Sequence, residues 1–389
     1  MASIGEERKE NDVRVAIVQA APVYYDKEKT LEKAKSIISK AASEGARLVV
    51  FSETWISGYP YWVLPGHKNY DSKKFGKAIS MMQDSSIKVP SEDLEKLCDA
   101  ARSSRINVVV GCNEISDLPG SKTVYNSLLF IGEEGNFFGR HRKLVPTYEE
   151  RLVWGMGDGS DLEVYDSSIG RLGGLVCWEN HMILARAALL LKGEKFHVAS
   201  WPGSWKTNGV EFLPDLEGKF CDIFPAIREH AFEAGCFVLS AIPSITAEDI
   251  PEEFPLKSEM LPSLEQAYGG SALVGPDGNY IVEPSFGREP IIYGECSEQS
   301  IKVAKALFDS LGHYARFDVL RLELNDENPW SPFSNRKAPL RKKKKKKNLN
   351  ARDLKQIADR HEVEFDKVEE IYEELSAGEE EEEEEDQRL

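Results

Sequence analysis

RVAIVQAAPVYYDKEKTLEKAKSIISKAASEGARLVVFSE, residues 14–53, changes its hydrophobic period twice. Residues 14–19 (RVAIVQ) are a short β-branched run, the form of a buried strand. Residues 27–44 then place Leu31, Ala34, Ile37, Ile38 and Ala41 at helical spacing, and Gly45 closes that helix. Residues 47–51 (RLVVF) read as a second strand that ends on Ser52 and Glu53. The rhythm repeats, with a helix over 91–104 opened by Ser91 and a strand over 106–111 (INVVVG). Strands this apolar, alternating with helices, are buried on both faces, so the class is α/β.

Beyond residue 120 the pattern changes. Residues 124–131 (VYNSLLFI), a Gly-rich turn at 132–135 and residues 136–142 (NFFGRHR) predict a hairpin. Residues 171–176 predict a strand, followed at once by a helix over 178–192. Further strands are expected at 196–199, 236–241, 270–274 and 280–282, the last two joined by the Asp277-Gly278 turn. The expectation is one domain over residues 12–330 containing a large mixed sheet system, and a polar extension over 331–389.

The chain has 389 residues and a formal net charge of −17. Residues 341–389 hold 12 basic and 17 acidic side chains, net −5, which leaves −12 for residues 1–340. An acidic body argues against a general nucleic-acid surface. Residues 1–10 have no apolar core for a signal peptide, and no stretch approaches the ~18–20 apolar residues of a membrane helix. The six cysteines are scattered without a CxxC pair, so reduced thiols in a cytoplasmic protein are expected.

Glu53, Lys143 and Cys177 sit at or just after the carboxyl ends of expected strands, the edge at which α/β sheets build sites. Gly173 and Gly174 precede the cysteine and a helix is expected after it. A thiol in that turn faces the positive helix end, which favours the thiolate. At an ordinary pKa near ~8.5 little of it is ionised at neutral pH. Glu53 is then a candidate to take the proton, and Lys143 to stabilise charge developing on a substrate. Residue type and spacing leave a second reading open: a packed structural thiol and two solvated charges.

Four longer motifs narrow this. RVAIVQAAP at the start, VVFSETWISGYPYW around Glu53, GRHRKLVPTYEERLVWGMGDGS around Lys143 and GGLVCWENHMILARAAL around Cys177 together resemble the nitrilase family. HAFEAGCFVLSA and GHYARFDVL, further on, are similar to it too, so the likeness covers roughly residues 12–330. It implies an α-β-β-α sandwich, a Glu-Lys-Cys triad of Glu53, Lys143 and Cys177, and a second glutamate, Glu150, that positions groups or handles protons. It also implies dimer-based homo-oligomers, including spirals or filaments, and no metal or organic cofactor. Cys-Trp-Glu-Asn at 177–180 is similar to true nitrilases, whereas amidase and carbamoylase branches more often carry Tyr or Arg and then Asp. The implied reaction takes a small-molecule nitrile through a thioimidate and a thioester to a carboxylic acid and ammonia. Ser52, Ile183 and Phe317 stand where the family commonly has proline, which questions local loop shape and removes no reacting group.

Other signals are weaker. Gly155, Gly157 and Gly159 form a GxGxG with no strand leading into it, so loop geometry is the reading. The seven histidines show no metal-ligand spacing; His141, His181, His230 and His313 read as structural, with a pocket role open for His181. Of the aromatics that flank the site segments, Trp178, Tyr59 and Trp201 are the candidates to line a substrate pocket, with Trp55 and Tyr61 equally suited to the core. The basic run at 341–347 and acidic run at 379–386 flank a possible helical pair over 351–375. A nucleic-acid contact is expected only if that lysine-rich tail makes one. A scaffold whose tail mediates assembly is the alternative from a different class.

Overall fold

The computed structural model describes residues 12–64, 71–203, 222–264, 267–287 and 290–326. These lie in one compact unit, Met1–Pro329. The lysine-rich run, the expected helical pair and the acidic tail lie outside the described residues.

Strand β1 (Val13–Val18), helix α1 (Lys27–Ser43) and strand β2 (Leu48–Phe51) realise the opening pattern. Asp26 caps α1 by accepting the Lys29 N–H at 3.0 Å. Leu31, Ala34, Ile38 and Ala41 form its buried stripe, and Gly45, at φ +82°, turns the chain out of the helix. There follow α2 (Ser72–Asp84), β3 (Ile87–Lys88), α3 (Glu92–Ser104), β4 (Asn107–Ile115) and the hairpin β5 (Val124–Ile131) and β6 (Phe137–Arg142). The second half runs β7 (Tyr165–Ser167), β8 (Gly170–Val176), α4 (Ile183–Leu191), β9 (Phe196–Ser200), α5 (Ile223–Ala234) and β10 (Phe237–Ala241). It closes with α6 (Lys257–Leu264), β11 (Gly269–Val274), β12 (Tyr280–Phe286), β13 (Ile291–Cys296) and α7 (Glu298–Leu307).

Two sheets result, ordered β13-β1-β2-β4-β5-β6, with β3 also paired to β4, and β12-β11-β10-β9-β8-β7. Each is built on the same plan. Three parallel strands occupy the centre, β1-β2-β4 in one and β8-β9-β10 in the other. Antiparallel strands flank them on both sides. Central strands are covered on both faces, which is why they read as unbroken apolar runs.

Alternate residues of the two sheets share one core: Val15, Ile17, Val50, Val109 and Phe130 with Leu172, Val176, Phe196, Val198 and Leu273. The other face of the first sheet, with Val18, Val49, Phe51 and Val108, packs on α1 and α3. Outside the second sheet lie α4, through Ala185, Ala188 and Leu189, and α5, through Ile223, Ile227 and Ala231. The layering is α-β-β-α, as expected from the sequence.

One element differs from expectation. The helix expected over 178–192 is broken into a 3-10 turn, Cys177–His181, and α4, with Met182 extended between them. The cause is local: Glu179 and Asn180 fold their side chains inward and bond backbone groups of residues 175–177, in competition with a continuous helix.

Candidate active site

Glu53 follows β2, Lys143 follows β6 and Cys177 follows β8, so both sheets contribute at the same edge. The loop after β2 is held against β4. Ile56 pairs with Cys112, and Asn113 Nδ2 donates to the Gly58 carbonyl at 2.9 Å. Gly111 makes the approach possible: a Cβ there would lie 2.6 Å from the Thr54 nitrogen and overlap the Ser52 carbonyl oxygen. Ser52, where the family commonly has proline, is buried in this turn.

The structure brings Glu53, Lys143 and Glu150 into direct contact. Lys143 Nζ donates to Glu53 Oε1 at 3.2 Å and to Glu150 Oε2 at 2.7 Å. Asn126 Nδ2 donates to the same Glu53 oxygen at 2.6 Å. Tyr59 OH donates to Glu150 Oε1 at 2.7 Å, and the Thr147 N–H to Glu150 Oε2 at 2.7 Å. Trp154 places its ring 5.8 Å from Lys143 Nζ and is itself fixed by Asn113 Oδ1. All three charged side chains are buried. Of the four carboxylate oxygens of Glu53 and Glu150, only Glu53 Oε2 lacks a hydrogen-bond partner among the described residues.

Burial dominates the electrostatics. It drives the Glu53 carboxyl up to about 8; Lys143 and Asn126 oppose the rise and Glu150 adds to it. Burial would lower Lys143, but Glu150, Glu53 and Cys177 outweigh it and hold the ammonium well above its ordinary value. Cys177 is pushed far up by burial, with Lys143 pulling the other way. Burial thus favours the thiol over the thiolate. The helix end expected beside the thiol is not there: the turn after Cys177 is one short 3-10 segment.

Cys177 has φ +55°, a left-handed conformation that a residue with a side chain keeps only when its surroundings impose it. Glu179 is one such restraint. Its Oε2 accepts the Val176 N–H at 2.9 Å, and its Oε1 accepts the Leu144 N–H at 2.7 Å. One buried carboxylate thus ties the backbone before the cysteine to the backbone after the lysine. His141 Nε2 donates to Glu179 Oε2 at 2.9 Å while its Nδ1 faces the Asp161 carbonyl at 3.3 Å. Against burial, these contacts raise His141 and lower Glu179, an internal ion pair.

A cavity of about 230 Å³ opens over Cys177, lined also by Tyr59, Leu64, Thr147, Tyr148, Glu150 and Trp178. Tyr148 and Trp178 meet edge to face at 5.7 Å. A larger groove, about 1110 Å³ beside α7, is lined by no cysteine, lysine or histidine, so the smaller cavity is the candidate site. Two of the three pocket aromatics expected from sequence, Tyr59 and Trp178, line it. The third, Trp201, is not among its lining residues: it follows β9, is wholly buried and packs beside His181. His181 also lies off the cavity, paired with Asp222 at 3.0 Å. Trp55 is a core residue anchored to the Ala20 carbonyl at 2.7 Å. Gly155, Gly157 and Gly159 belong to a loop packed on β6, where the Gly157 N–H donates to the Lys143 carbonyl.

Asn113, Asn126 and Glu179 were not singled out in the sequence. Asn126 had a signal there: it is an amide inside a largely apolar expected strand, and has to find a buried partner.

The family model for carbon-nitrogen hydrolases matches residues 14–306. Nitrilase 2 of Arabidopsis thaliana is 38% identical over 335 residues, 83% of this chain and 91% of its own. The aliphatic nitrilase of Rhodococcus rhodochrous is 37% identical over 324 residues, 82% of this chain and 84% of its own. Among solved structures, Nit3 of Saccharomyces cerevisiae superposes with a TM-score of 0.59 at 19% identity, covering 80% of this chain and all of that one. The chain belongs to the nitrilase family of carbon–nitrogen hydrolases. It is a nitrilase-type hydrolase, acting on carbon–nitrogen bonds other than peptide bonds.

Proposed function

We propose that the protein hydrolyses an organic nitrile to a carboxylic acid and ammonia, with Cys177 as nucleophile, Glu53 as general base and Lys143 as the cation at the reacting nitrogen. The observation that carries this reading is the buried Lys143 bridge between Glu53 and Glu150, beside a cavity that opens on Cys177. Glu53 Oε2, the oxygen without a partner, takes the thiol proton as sulfur attacks the nitrile carbon. Lys143 stabilises the nitrogen of the resulting thioimidate and supplies a proton to it. Water adds, ammonia departs and a thioester remains. A second water, activated by Glu53, releases the acid and restores the thiol. Glu150, held by Tyr59 and Thr147, positions Lys143.

Tyr59 and Trp178 contact the organic group of the substrate, since a nitrile offers little else to bind. A homo-oligomeric, cytoplasmic enzyme completes the reading. The exposed Ile183 and Leu184 of α4 support the first part, and light scattering of the purified chain tests it. Among the described residues no helix is long and apolar enough to cross a membrane.

The test is ammonia release over a panel of nitriles and their matching amides, with acid and amide products separated. Nitrile turnover to acid is expected. Turnover of amides with none of nitriles moves the protein to the amidase or carbamoylase class.

A further inference from the structure

Outside the lining of the cavity lies a second set of buried polar groups that the reaction does not use. Asn180 Nδ2 donates to the Cys177 carbonyl at 2.9 Å and to the Leu175 carbonyl at 3.3 Å. Those two acceptors fix the orientation of the amide, so Asn180 Oδ1 is an acceptor toward His197 Nε2 at 2.9 Å. The other ring nitrogen, Nδ1, stands 2.9 Å from Glu194 Oε2. His197 therefore faces an acceptor on both sides. The second oxygen of Glu194 accepts from His230 Nε2 of α5. All four side chains are buried.

We propose that Glu194, His197 and Asn180 form a positioning relay that holds the left-handed backbone of Cys177 and so aims its thiol into the cavity. The chain of contacts starts on β9 and the turn before it, a rigid element of the second sheet, and ends on the carbonyl of the strained residue itself. Burial opposes ionisation of Glu194, but His197 and His230 outweigh it and bring the carboxyl down to about 2. The carboxylate is thus a permanent acceptor that keeps the His197 ring in one orientation. On the other flank Glu179 holds the Val176 N–H, so the cysteine is gripped from both sides. None of these groups touches the cavity. The relay acts through Cys177, not on substrate.

Donor atoms of Glu194, His197 and His230 lie within 4.8 Å of one another, the spacing of a metal site. The hydrogen-bond pattern favours protons there: each ring nitrogen turned toward Glu194 meets a different carboxylate oxygen.

The inference rests on Cys177 being the nucleophile, and its test separates the two claims. The double variant Glu194→Gln/His197→Phe removes the carboxylate and the imidazole, keeps the volume and leaves Asn180 Oδ1 without its donor. Glu194→Gln/His197→Gln restores a donor to Asn180. In folded protein with an unchanged oligomeric state, kcat should fall about tenfold or more in the first variant with KM within about twofold. The second should recover most of the loss. Alkylation of Cys177 by iodoacetamide, followed by peptide mass spectrometry, should slow in parallel, and it does not depend on any nitrile being a substrate. If the wild type turns over no nitrile, the proposed function fails while the alkylation rates still decide the relay. Alkylation and kcat at wild-type rates in the first variant overturn it. So does one equivalent of zinc or another divalent metal co-purifying with the wild type and lost in both variants.

Discussion

Replacing Glu179 by glutamine keeps its shape and removes one charge. The carboxylate accepts three hydrogen bonds, from the Leu144 N–H on one oxygen and from the Val176 N–H and His141 on the other. A glutamine has one acceptor oxygen, so in either orientation its NH2 group meets a backbone N–H. At least one charge-assisted bond is lost, worth about 1.5–3 kcal/mol, and a buried donor is stranded at about 1–3 kcal/mol. His141 also loses its counter-ion. The expected destabilisation is about 3–5 kcal/mol, the scale of breaking a buried ion pair.

The sign with pH follows from the two shifts. The lowered Glu179 contributes stability above the ordinary carboxylate value of 4.5 and loses it as pH falls through the depressed one. The raised His141 contributes fully below its ordinary 6.5 and loses its share as pH rises through the elevated value. The gap between wild type and variant should be widest between those two ordinary values and narrow on both sides. Thermal melts across pH measure it, and kcat should fall because Lys143 and Cys177 are no longer tied together. A variant that melts within a degree of the wild type at every pH, with its kcat intact, refutes the reasoning.

Three further outcomes are expected. Because Glu53 must be ionised to act as base and burial lifts it to about 8, kcat/KM should rise with pH through that value and be lost in acid. In Glu53→Gln that rise should vanish, with activity down by a factor of about 10³ or more. The same raised carboxyl favours the fold below its ordinary value and that stability is lost as pH rises through about 8, so Glu53→Gln should melt no lower than the wild type at pH ~9. Gly111→Ala should displace the Glu53 loop, since the new methyl overlaps Ser52 and Thr54; a fall in kcat of about 10²-fold is expected from steady-state kinetics. Trp178→Ala opens the cavity wall and should raise KM for bulky nitriles about tenfold with a smaller change in kcat, checked over a series of increasing substituent size.

The central strands were legible because parallel strands covered on both faces have to be largely apolar, and VAIV of β1, LVVF of β2, VVVG of β4 and LGGLV of β8 are such runs. α5 and β13 were not. The buried face of α5 mixes His230 and three alanines with two isoleucines, a faint stripe. β13 pairs with β1 across nearly the whole chain, a contact with no local signature. At the site, Glu53, Lys143 and Cys177 could be named from their places at strand ends, and Glu150 from its motif. Their mutual support could not. Glu179 was legible as part of a motif, but that it joins the lysine turn to the cysteine turn depends on the two sheets facing each other. Where the Trp201 ring packs was not legible either: adjacency in sequence to a site strand does not fix it, and the ring lies in the core shared by the two sheets.

Covalent capture on the nucleophile tests the account most directly. The protein is mixed with a nitrile it turns over, quenched in acid within the first turnovers, digested and analysed by mass spectrometry. The account predicts the substrate's acyl or imidoyl mass on the peptide that carries Cys177, with none on the same peptide of Cys177→Ala, whose ammonia release should be at background. An adduct on another residue, or ordinary ammonia release by folded Cys177→Ala, contradicts it.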